Sequence, residues 1–99
     1  MAESTAHPPG YMENKEKVKN RLRRIAGQIG GIERMVDEER YCIDILTQIS
    51  AAQAAIDKVA LALLDEHTRH CVVGASDAKA REEKTEEMLE AVGRLLKSR

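Results

Sequence analysis

Apolar positions along the chain recur at helical rather than strand spacing. Between about Glu13 and Asp37, Val18, Leu22, Ile25, Ile29, Ile32 and Val36 follow one another at intervals of four, three, four, three and four. That stripe is one face of an amphipathic helix, and the period-two alternation of a half-buried strand is absent. Gly27, Gly30 and Gly31 interrupt the same run. Each costs a helix roughly 1 kcal/mol relative to alanine, so their expected use is close approach of another helix or backbone.

The charged segment Asp37–Arg40 is the natural place for a turn. From Cys42 to Val73 there is neither glycine nor proline. Ile45, Ile49, Ala52, Ile56, Val59 and Leu63 keep heptad-like spacing there, and Leu46, Ala60 and Leu64 widen the stripe. This predicts a long central helix of an antiparallel bundle or coiled-coil dimer. Gly74 then stops that helix, and Ser76 or Asp77 can cap the next. A third helix is expected from about Ala78 to Leu96, with Met88, Leu89, Val92, Leu95 and Leu96 turned inward. Residues 1–12, with Pro8, Pro9 and Gly10, read as a loose tail ahead of a single helical domain over 13–99. The fold class is all-α, with three helices and neither repeats nor low-complexity tracts.

Composition adds an oligomer to this picture. The chain has 99 residues, no Trp, no Phe and two Tyr. So small a core, without large aromatic side chains, is expected to need a second copy of the chain to cover its apolar faces. No apolar run approaches membrane-spanning length, and the opening residues lack the apolar stretch of a signal peptide. Two cysteines are too few for a disulfide framework. A reducing, cytoplasmic location is the corresponding expectation, where paired thiols more often bind metal or do redox chemistry.

Charge is unevenly spread. From Lys15 to Arg34 the bases Lys15, Lys17, Lys19, Arg21, Arg23, Arg24 and Arg34 face only Glu16 and Glu33, although the whole chain carries −1. A basic element on an otherwise acidic chain suggests a polyanionic partner. The plainer reading, a solvated helix face paired with acids, fits the lopsided count less well.

His67 and Cys71 lie four apart and therefore share a helical face at chelating distance. Alone the pair is a weak signal, since a histidine near a helix end is usually just solvated. Cys42 strengthens it. It precedes His67 by 25 residues on one predicted helix, which is about 37 Å of helix. The three cannot meet within one chain, but in an antiparallel pair Cys42 of one chain lies beside His67 and Cys71 of the other, giving two equivalent sites per dimer. The bland alternative for Cys42 is a small core residue. Two thiolates and one imidazole make a soft, low-coordination donor set that suits Cu(I), whereas Zn(II) would want a fourth ligand. His70 is a spare donor turned about 100° from Cys71, and His7 lies in the tail. Cys42 and Cys71 could alternatively form a redox pair across the dimer. No nucleophile–base–orienter set of an enzyme is evident.

At this point the chain resembles the copper-sensing operon repressor (CsoR) family, over about Lys15 to Leu96. The resemblance rests on RLRRIAGQIGGIERM (21–35), YCIDILTQISAAQAAI (41–56) and the Cys42, His67, Cys71 spacing. It implies a three-helix protomer, an antiparallel four-helix-bundle-type dimer and a tetramer of two dimers. It implies Cu(I) held between subunits, and operator DNA bound without metal and released with it. Tyr41 matches a tyrosine beside the site. Glu87, in TEEMLEAV, matches an acid that bonds the free nitrogen of the ligand histidine, which would fix its tautomer and aim. For DNA the matching bases are Arg21 and Lys58, with Arg24 expected beside them. The family often has arginine where this chain has Lys58, and lysine keeps the charge without the bidentate fork. Other branches sense nickel or cobalt with more histidines, or persulfide with two cysteines and no histidine. Retention of His67 with both cysteines favours copper, while His7 keeps nickel and cobalt in view.

Overall fold

A computed structural model describes residues 11–97, and these are helical apart from short connections. A 3-10 turn over Met12–Asn14 leads into α1, Lys15–Asp37. Helix α2 spans Cys42–His67, and a π-helical turn continues it over Thr68–Val73. Helix α3 spans Ala78–Lys97. There is no strand among the described residues, so the all-α expectation holds. The tail over 1–12 falls almost wholly outside the described residues, as does His7.

The chain divides into two compact units, one of Glu13–Leu63 and one built on Leu64 onward. In the first, α1 reverses into α2 through a turn whose geometry is fully hydrogen bonded. Arg40 N–H donates to the Met35 carbonyl at 2.9 Å and Glu39 N–H to the Val36 carbonyl at 3.0 Å. These are the paired bonds of a Schellman ending, and they put Glu39 in the left-handed region at φ 56°. Glycine is the usual occupant, because any Cβ is strained there. Tyr41 supplies the first carbonyl of α2, accepting from Ile45 N–H at 3.2 Å.

Ile25, Ala52 and Val59 are the buried side chains of this unit. They belong to the two stripes read from the sequence. The remainder of those stripes stays open: Leu22, Ile29, Val36, Ile49 and Ile56 are exposed. Gly27 has nothing near its Cβ direction, and Gly30 and Gly31 meet only the Arg34 guanidinium at 3.9 and 3.7 Å. Within one chain the glycines of α1 therefore admit no neighbouring helix.

In the second unit the helix predicted to continue to Val73 changes type instead. The Thr68 hydroxyl donates to the Leu64 carbonyl at 2.8 Å. Such back-bonding competes with the main-chain ladder and bends helices, and the wider π turn begins at this residue. Helix α3 packs on the turn, and the Met88 sulfur lies 3.2 Å from the Thr68 hydroxyl oxygen. Val72 is the buried side chain of this unit. Gly74 ends the turn for a steric reason: a Cβ there would sit 2.9 Å from the His70 carbonyl oxygen. Asp77, one of the two expected caps, accepts from Ala80 N–H at 2.8 Å through its carboxylate and satisfies a free donor of α3. Leu89 and Leu96, expected to turn inward, are 59% and 64% exposed. Periodicity identifies an apolar face but cannot say whether the same chain covers it.

Candidate metal centre and basic cavity

The expected donors are placed by α2 and the turn that follows. Cys42 is the first residue of α2 and exposed; Cys71 lies in the π turn and is half-buried; both thiols are free. His67 is the last residue of α2 and half-buried. Among the described residues of one chain, no three His, Cys, Asp or Glu side chains gather as a metal-binding group. One chain thus offers His67 and Cys71 on neighbouring turns, with Cys42 at the other terminus of α2. The donor chemistry fits a soft monovalent cation.

The residues around these donors are occupied elsewhere. His70 lies 4.0 Å from Glu66, four residues back on the same face, and is exposed. Glu87 is exposed and pairs with Lys84 at 3.7 Å, with neither an ion pair nor a hydrogen bond to His67. Sequence neighbours of the two nevertheless touch, through Thr68 and Met88. Tyr41 is 70% exposed beside Cys42.

The bases form a second feature, wholly within the first unit. Arg21, Arg24, Ile25 and Gln28 of α1 and Ala55 and Lys58 of α2 line a cavity of about 520 Å³. The α1 residues follow i, i+3, i+4, i+7 spacing, one face of a helix. Arg21, Arg24 and Lys58, named from the sequence, are thereby brought together. No acid pairs with them among the described residues. Gln28 and Ala55 were missed. The stripe Arg21-Arg24-Ile25-Gln28 could have signalled Gln28, but only the packing of α2 on α1 selects Ala55. No helix among the described residues is long and apolar enough to cross a membrane.

A soft donor set and a basic cavity with no acid paired to it among the described residues are features that a metal-responsive, polyanion-binding protein would need. The chain belongs to the family of metal-sensitive transcriptional repressors, whose model matches residues 14–94. It is 47% identical over 91 residues to the copper-sensing transcriptional repressor RicR of Mycobacterium tuberculosis, covering 90% of this chain and 95% of that one. The copper-sensing repressor CsoR of Geobacillus thermodenitrificans, solved with Cu(I), superposes with a TM-score of 0.79 at 41% identity, over 86% of this chain and 88% of that one. The nickel-responsive transcriptional regulator InrS superposes with a TM-score of 0.71 at 36% identity, over 89% and 96%.

Proposed function

We propose that this chain is a Cu(I)-responsive transcriptional repressor that binds operator DNA without metal and releases it when Cu(I) is bound. The observation that carries this reading is the free Cys42, His67, Cys71 set in a chain of this family. Cys42 of one protomer and His67 and Cys71 of another would hold the ion. Cu(I) supplies a soft centre that neutral imidazole and two thiolates share, and metal affinity falls as the thiols are protonated. Tyr41 borders the site. Residues 13–99 form the working domain, and residues 1–12 the tail.

Oligomerisation is required by the ligand set and supported by the apolar surface. Ile43, Leu46 and Leu61 of α2 and Leu89 and Leu96 of α3 are more than half exposed in the single chain. Apolar side chains in such number call for a partner surface. The proposed assembly is an antiparallel dimer that pairs into a tetramer.

Release follows if the metal-bound conformation binds DNA less well, and the coupling is reciprocal. With His67 engaged through one ring nitrogen, Glu87 exchanges Lys84 for the other. Helix α3 moves with Glu87, because it already packs on the turn that carries Cys71. Arg21, Arg24 and Lys58 contact phosphates.

Anaerobic Cu(I) titration of the wild-type chain, followed by X-ray absorption, tests the reading. One Cu(I) per chain with sulfur and nitrogen neighbours is expected. A reversible interchain Cys42–Cys71 crosslink without metal uptake would favour a thiol-based sensor instead. Nickel is the second metal reading, favoured by the InrS likeness. Ni(II) that releases DNA where Cu(I) does not would establish it.

A further inference from the structure

The basic cavity has a composition that a mere positive patch lacks. Its rim carries hydrogen-bond donors from Arg21, Arg24, Lys58 and Gln28, and Gln28 is the uncharged member. Ile25, 4% exposed, makes the floor, and Ala55 leaves the α2 side open. Three cations share about 520 Å³ without an acid among the described residues. Mutual repulsion of that kind is offset when an anion occupies the space, and guanidinium forks match phosphate oxygens. We propose that this cavity is a cradle for one phosphodiester of bound DNA, in which Gln28 is a neutral fourth donor and Ala55 is small so that the phosphate can enter. The inference rests on the repressor reading and extends it to two residues that carry no charge.

Charge separates their roles from those of the bases. Phosphates neutralised by Lys or Arg release counterions, and each contributes about 0.9 to the salt slope of binding on duplex DNA. Gln28 donates without displacing a counterion, so its loss weakens binding and leaves the slope unchanged. A leucine at position 55 projects a branched apolar side chain into the α2 side of the cavity and obstructs the phosphate there, so both affinity and slope fall although no charge is altered.

The test measures binding of the metal-free full chain to a duplex enriched by the wild-type protein from a random pool, at stepped chloride concentrations. Gln28→Ala is expected to weaken binding about 2- to 12-fold at constant slope. Ala55→Leu is expected to weaken it about tenfold or more and to lower the slope by about 0.9 for each protomer engaged. Gln28→Glu places a carboxylate beside the phosphate and should bind worse than Gln28→Ala. That variant decides the matter if Ala55→Leu loses helicity. Wild-type binding by Gln28→Glu and by folded Ala55→Leu, with Arg21→Ala impaired, would overturn the cradle and leave the repressor standing. Failure of the wild-type chain to enrich or bind any duplex would overturn both.

Discussion

The two compact units differ in how regular they are, and the difference follows what each carries. The unit over Glu13–Leu63 is a helical hairpin with uninterrupted α1, a fully bonded turn and Ile25, Ala52 and Val59 buried. Its cavity is built from residues at fixed helical intervals. The unit from Leu64 onward departs from the α-helix at Thr68, buries Val72 alone among its described side chains, and places Cys71 within the irregular turn. Rigid helices suit a surface that must match the spacing of DNA phosphates. A π turn is a rare conformation, frequent at functional sites, and it suits an element that responds to a ligand. Under the proposed function, DNA recognition falls to the first unit and response to the second.

Breaking the donor set gives the largest expected effect. Cys71→Ala should abolish tight Cu(I) binding, because only one thiolate, Cys42, and the His67 imidazole remain. DNA affinity of the metal-free protein should stay near wild type. Titration and DNA binding on the same preparation check both halves; a parallel loss of DNA affinity would erase the division of labour.

Glu87→Ala sharpens the comparison at the point where response is transmitted. Cu(I) affinity should be largely kept, while copper-driven release should lose much of a coupling of about 1–3 kcal/mol. Paired DNA titrations with and without one Cu(I) per chain read it. A copper effect of wild-type size would remove Glu87 from the route and leave the donors in place.

The irregular turn can be disturbed directly. Gly74→Ala forces a Cβ against the His70 carbonyl, a backbone atom with little room to give. A loss of about 1–3 kcal/mol is expected, seen as a lower midpoint in thermal or urea unfolding. An unchanged midpoint would mean that the turn yields freely at this position.

The smallest effect belongs to the hairpin. Glu39→Gly relieves the left-handed strain of the α1–α2 turn, and stability should rise by up to about 1 kcal/mol. Circular dichroism melting checks the sign. Copper and DNA binding should be untouched, since Glu39 belongs neither to the donor set nor to the basic cavity.

The sequence by itself determined the three helices, their turn at Asp37–Arg40 and a cap at Ser76 or Asp77, because periodicity and capping act over a few residues. The resemblance to a known family was likewise legible in the motifs at 21–35 and 41–56. Tertiary structure decided what depends on residues far apart or on competition between hydrogen bonds. Thr68 could have continued α2; its bond to Leu64 recurs at Thr47 and Thr85 within regular helix, whereas the packing of α3 and the Met88 contact are particular to the π turn. Gln28 and Ala55 look unremarkable in the chain until α2 lies against α1 and both face Lys58. Leu89 and Leu96 mark an apolar face by their spacing, but burial is a property of what packs against that face. One folded chain leaves them exposed because it has too few apolar surfaces to cover its own.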